Sequence, residues 1–181
     1  MSEERLIRNG APTLAGIKTA SLFTCPYTDK AQITAALRRL NRRLAAKGLR
    51  VLPLLYYETR VLIYLYRPSG LGDDLRRGEA RQILEPLGYD CQSCGQCLTC
   101  LAQRLHTQKE FPHEIGLFLG YPPEDVRGFL ENRPCKCTGC WKVYGDEAGA
   151  QRKFDQYKTC TRIYCRQWAM GIALEQLAVA G

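Results

Sequence analysis

The sequence predicts an α+β protein, with a small sheet and covering helices in the N-terminal half and a mostly helical, cysteine-rich C-terminal half. Three observations carry this. Residues 31–50, AQITAALRRLNRRLAAKGLR, repeat apolar side chains at helical spacing. Residues 51–70, VLPLLYYETRVLIYLYRPSG, place two β-branched and aromatic runs around a polar Glu58-Thr59-Arg60. Nine of the ten cysteines fall between positions 91 and 165.

Taken in order, residues 14–25, LAGIKTASLFTC, read as a short extended segment running into a turn at Pro26. A basic helix follows from about Asp29 to Lys47, and Gly48 is a good C-terminal stop. The two runs after it read as a hairpin, with Pro53 marking the first as an edge strand. Residues 71–87 return to helical spacing, with Leu75, Ile83, Leu84 and Leu87 as the expected buried set. The N-terminal half is thus β-α-β-β-α. The character changes after Tyr89-Asp90 without a flexible linker, so residues 1–181 are expected to form one domain with halves 1–90 and 91–181.

A chain of 181 residues with 45% apolar content buries roughly 70% of its unfolded surface and needs no metal or disulfide merely to fold. No apolar run approaches the ~18 residues of a membrane span, and MSEERLIRNG lacks the apolar core of a secretory signal. A cytoplasmic protein is expected, with no membrane partner. In that reducing setting dense cysteines point to metal or redox chemistry before disulfides.

The net charge of +8 is concentrated in residues 1–50, which hold ten basic and three acidic side chains. In the basic helix Ile33, Leu37, Leu40 and Leu44 share one stripe, opposite Arg38, Arg39, Arg42 and Arg43. The plain reading is a solvated face. The sharper one is a surface for an acidic redox protein or another anionic partner. Nucleic acid is disfavoured, because neither an RNA-binding signature nor an aromatic stacking platform accompanies the arginines.

Three segments could carry chemistry. CQSCGQCLTC holds Cys91, Cys94, Cys97 and Cys100 at three-residue spacing, as at the start of a bacterial ferredoxin motif, although the last gap is short and no proline follows. On a straight helix, positions three apart drift by about −60°, so four thiols would fan over about 180° and could not share one ion. A common centre requires a loop or 3₁₀ wrap, which Gly95 permits. The readings are an iron–sulfur cluster or zinc site, a redox dithiol, or small residues at a helix start. PCKCTGCWKVYG adds Cys135, Cys137 and Cys140, with Cys160 as a returning ligand; the alternative is that several of these cysteines simply pack in the core. A helix beginning near Cys160 would lower its thiol pKa, and Cys165 lies about 140° further around. FPHEIGLFLGYPPEDVRGFLEN offers His113 at a helix start, as a metal ligand, as an acid–base group with Glu114 as partner, or as a side chain bonded only to neighbouring backbone, then a second short helix opened by Glu124 and Asp125. That second helix is too acidic for a major groove. No dinucleotide, P-loop, G-x-S-x-G or H-E-x-x-H motif is present.

The string His113-Glu114-Ile115-Gly116-Leu117-Phe118-Leu119-Gly120-Tyr121-Pro122 resembles the hallmark of an uncharacterised family, found mainly in anaerobic Firmicutes and known only as a domain of unknown function. Ala11 to Lys18, Trp141 to Asp146, and Phe154 to Tyr157 with Cys160-Thr161 fit the same family. The resemblance implies a full-length domain without an established activity. Its members often carry a His-Cys pair where this chain has Asn9-Gly10, and the Cys91–Cys100 run looks like an addition to the family pattern. The matching motifs suggest a shared cleft of His113, Lys18, Trp141 and Lys142, with lysines that merely snorkel as the alternative. Three functions follow in order: a cysteine-ligated metal or iron–sulfur protein of anaerobic redox or metal handling, a small-ligand binder or enzyme using His113 and Glu114 with the lysines, and a nucleic-acid or protein-binding module using the Arg38–Arg43 face.

Overall fold

The computed structural model describes residues 1–108 and 110–181. The fold is α+β, with more helix than strand and a small antiparallel sheet. Two compact units emerge: residues 1–69 with 157–181, and residues 70–156.

The first unit holds α1 (Glu3–Leu14), β1 (Ala20–Pro26), α2 (Lys30–Leu44), β2 (Arg50–Tyr56) and β3 (Arg60–Tyr66). The chain begins as a helix where no element was expected, and the segment expected to extend from Leu14 is helix to that residue and strand only from Ala20. Ser2 caps α1 through the Arg5 amide, and Glu3 and Glu4 sit at its positive end. Pro12 disguises the helix in the sequence. It survives because Leu6, Ile7, Ala11 and Leu14 are fully buried.

The basic helix forms as expected. Asp29 caps α2 through the Ala31 amide, and the stripe Ile33, Leu37, Leu40 and Leu44 is buried. Burying each such side chain contributes roughly 1.5–3 kcal/mol. A 3₁₀ turn (Ala45–Lys47) ends at Gly48 with φ 69°, a conformation glycine adopts without penalty.

The hairpin also forms. β3 lies at the centre of the sheet, antiparallel to both neighbours, in the order β1-β3-β2. Pro53 sits on the outer strand β2, beside the register shift before Leu55, where its missing N–H costs no ladder bond. Val61, Ile63 and Leu65 join α1, α2 and the short α9 (Leu174–Leu177) in one apolar core.

A single cation ties the ends of this unit together. Arg67 is 7% exposed. Its guanidinium donates to the carbonyls of Thr13, Leu14 and Val179 at 2.8 Å each, and to Lys47 at 3.3 Å. Burial lowers its pKa, and no carboxylate pairs with it among the described residues.

The second unit is helical: most of α3 (Pro68–Arg76), then α4 (Gly78–Leu84), α5 (Cys94–Thr107), α6 (Ile115–Phe118) and α7 (Pro123–Leu130). A two-residue hairpin, β4 (Cys137–Thr138) with β5 (Lys142–Val143), precedes the long α8 (Glu147–Ala169), whose residues 157–169 belong to the first unit. Leu75, Ile83 and Leu84 are buried as expected, while Leu87 is only half-buried in a 3₁₀ turn.

Replacing Arg67 with alanine removes a donor from four carbonyls, three of them bonded at 2.8 Å, and leaves Thr13 and Leu14 only their bonds from the Gly16 and Val179 amides. It should lower the unfolding free energy by about 3 kcal/mol, read as an earlier urea midpoint at unchanged slope. Lysine should recover only part of the loss, since one ammonium cannot reproduce the fork.

Candidate functional site

The second unit contains a cavity of about 200 Å³ lined by His113, Ile115, Gly116, Tyr121, Asp125, Val126, Phe129, Trp141 and Lys142. Three of the residues expected to share a cleft, His113, Trp141 and Lys142, line it. Lys18 does not: it lies in the first unit, with its ammonium 5.7 Å from the Tyr157 ring centre.

The helix pair α6 and α7 forms the inner wall. Gly116 permits the close approach of α7, because a Cβ there would lie 2.8 Å from Val126 Cγ2 and 3.2 Å from Tyr121 Cδ2. Trp141 closes the other side. It is 8% exposed, stacks on Tyr121 at 4.8 Å, and meets the edge of Phe154 at 4.6 Å. Its indole N–H donates to Asp125 Oδ2 at 2.7 Å.

Asp125 organises this wall. The carboxylate is 3% exposed, and its Oδ1 accepts from the Tyr144 and Gly145 amides at 2.7 and 2.9 Å. Its place in the first turn of α7 adds the favourable field of the helix N-terminus. The sequence marked Asp125 only as a charge suited to a helix start. Nothing local announces its partners, which lie 16 to 20 residues away.

At the cavity mouth the chemistry changes. His113 and Lys142 are exposed, and both rest on Phe129: the imidazole at 4.6 Å between ring centres, the Lys142 ammonium at 5.1 Å. Neither side chain makes a hydrogen bond or ion pair among the described residues. Alternation along the strand explains the split, since Trp141 and Val143 turn inward and Lys142 turns out.

Glu114 points elsewhere. It is 2% exposed, accepts from the Tyr89 hydroxyl at 2.9 Å, and pairs with Arg104 at 2.6 Å. Burial, reinforced by the adjacent Glu114 charge, raises the Tyr89 pKa. This carboxylate therefore braces α5 against the turn before α6 instead of facing the His113 ring. The braced network also edges a wider cleft that His113 shares, lined by Arg104, Glu114 and Arg127 among others.

The cysteines divide by burial. Cys94, Cys97 and Cys100 lie on regular α5, the geometry in which three-residue steps fan apart. Cys97 is fully buried, its thiol 3.2 Å from the Asp90 carbonyl. Burial, with the neighbouring Cys91, pushes the Cys97 thiol up to about 12, and burial raises Cys91, Cys94 and Cys100 as well. Cys135 is exposed before the hairpin and Cys140 in its turn, and half-buried Cys137 meets Glu147. Cys160 corrects a sequence expectation. The helix begins thirteen residues earlier, at Glu147, so this thiol gains nothing from its N-terminus, and burial pushes it up to about 11. Among the described residues no three His, Cys, Asp or Glu side chains converge as metal ligands would.

Fold and cavity together define an α+β protein with an aromatic-walled pocket. The chain belongs to a family of unknown function: the one described as "Protein of unknown function (DUF3793)" matches residues 6–178. No curated protein and no solved structure matches it.

Two outcomes follow. Asp125→Ala strands three donors and should cost about 3 kcal/mol in urea unfolding, with a red shift of Trp141 emission. At pH 8, iodoacetamide should label Cys135 and Cys140 at least about tenfold faster than Cys97. Because Cys97 titrates higher folded than unfolded, its stabilising contribution is intact below about pH 8.5. That contribution should fall as pH climbs towards 12, a slope that Cys97→Ala should remove in urea titrations at stepped pH.

Proposed function

We propose that this protein binds a small molecule with a flat apolar body and an anionic end, held in the cavity between Trp141 and Phe129. The observation that carries this reading is the pair of donors without partners, His113 and Lys142, resting on one aromatic ring at the mouth of an apolar cavity. Sites for small ligands commonly combine such an apolar interior with a few convergent polar groups. The interior suits a ring, because Trp141 and Phe129 offer faces and edges to stack on. The mouth suits a carboxylate or phosphate, which would take a charge-assisted hydrogen bond from Lys142 and a second bond from the imidazole. Asp125 does not oppose such an anion strongly, because three N–H groups already face its charge.

The cysteine-ligated metal reading has less support. Gathering Cys91, Cys94, Cys97 and Cys100 on one ion would require the first turns of α5 to unwind and Cys97 to leave its buried position. An anionic partner at the α2 arginines stays open to Arg38, Arg39 and Arg42, while Arg43 is held by Glu3 and Glu175.

Titration calorimetry with 2-naphthoate and its uncharged amide tests the ligand class. The acid should bind more tightly than the amide. Lys142→Met should weaken the acid by about tenfold or more, the worth of a hydrogen bond to a charged group, and leave the amide unaffected. Equal binding of acid and amide would remove the anionic end from the proposal. Binding of neither would remove the pocket.

A further inference from the structure

Charge is divided unevenly between the two units. The first holds fifteen basic and five acidic side chains, a net +10, and the second eleven basic and thirteen acidic, a net −2. Few carboxylates in the first unit are available to neutralise its surface: Glu4 pairs with Arg8, Glu3 and Glu175 both hold Arg43, and Asp29 caps α2. We propose that this unit binds a nucleic-acid backbone along the outer face of α8, through Lys158, Arg162 and Arg166.

These three residues follow at four-residue intervals, so they form one row on the helix, about 6 Å apart and about 12 Å long. All three are exposed, and none has a hydrogen bond or ion pair among the described residues. Like charges so placed repel one another, which leaves the row favourable to an incoming anion. Its length matches three to four phosphates at about 3.4 Å per nucleotide of a strand. Arg38, Arg39 and Arg42 on α2, likewise exposed and without partners, extend the positive field of the same unit.

The row fits a nucleic acid better than other polyanionic surfaces. A helix lying on a membrane needs an apolar face to bury in lipid. The apolar side of this stretch of α8 is occupied, since Tyr164 and Trp168 pack on the core, leaving only Ile163 and Met170 as large exposed apolar residues nearby. A protein partner would need several aromatic or apolar anchors at the centre of the contact, and the row has only the single aliphatic Ile163 beside it. Without a stacking platform the contact is to phosphates alone and indifferent to sequence.

Fluorescence anisotropy with a labelled mixed-sequence duplex and a labelled oligouridylate measures this directly. Duplex affinity should fall at least about 40-fold between roughly 50 and 200 mM KCl, as expected when three phosphates are neutralised. Substituting Lys158→Gln, Arg162→Gln and Arg166→Gln together should flatten the logarithmic salt slope by nearly 3, with an unchanged circular dichroism spectrum. Should the triple variant fail to fold, the three single variants should each remove about one unit of slope. An unchanged slope, no binding to either oligonucleotide at low salt, or binding only to phosphatidylglycerol vesicles would overturn the proposal.

Discussion

The pocket depends on one buried carboxylate. Asp125 fixes the indole of Trp141 through one oxygen and the Tyr144 and Gly145 amides through the other. A two-residue hairpin such as β4–β5 has too few ladder bonds to hold its own position. The carboxylate supplies that position by binding the strand at both sides of Lys142. Once Trp141 is fixed inward, the alternation of the strand sends Lys142 outward to Phe129, and Tyr121 and Phe154 pack against the indole. An apolar residue at position 125 would fill the space but would leave a buried indole N–H and two amides unmatched, a greater cost than the charge's own desolvation when three donors face it.

The same logic, with signs reversed, holds the first unit. Arg67 collects the carbonyls that end α1, follow α2 and approach the C-terminus. Helix ends leave carbonyls without intrahelical partners, and a planar five-donor group satisfies several of them at once. The Glu114–Arg104–Tyr89 cluster differs, because there a cation and a carboxylate meet directly. It braces elements with charges already matched to each other, whereas the His113 and Lys142 side chains have no hydrogen bond or ion pair among the described residues.

Periodic features were legible in the sequence, and partnerships were not. α2 announced itself by a repeating apolar stripe with Asp29 before it and Gly48 after it, and the strand pair by two apolar runs around Glu58-Thr59-Arg60. Those signals are local. α1 escaped because Gly10 and Pro12 lower helix propensity, and only tertiary burial of Leu6, Ile7 and Leu14 restores the balance. His113, Trp141 and Lys142 were grouped, together with Lys18, only through a family resemblance, since no spacing rule connects position 113 with 141. The bond from Trp141 to Asp125 had no signal in either source, because a buried carboxylate at a helix start looks the same in sequence as an exposed one.

Cysteine spacing misleads for a related reason. Three-residue spacing is shared by cluster-binding loops and by ordinary helices, and the backbone decides between them. Here Ser93 caps α5 through the Gln96 amide, which starts the helix before Cys94 and commits the next two thiols to diverging directions. Cys97 falls on the buried side with Leu98 and Leu101, where a small apolar side chain fits and a thiolate would be penalised. Its burial holds the proton on, so this thiol is a poor nucleophile at neutral pH however suggestive the motif around it. The exposed thiols are Cys135, which precedes the hairpin that presents Lys142 to the pocket, and Cys140, which lies in the turn between its strands.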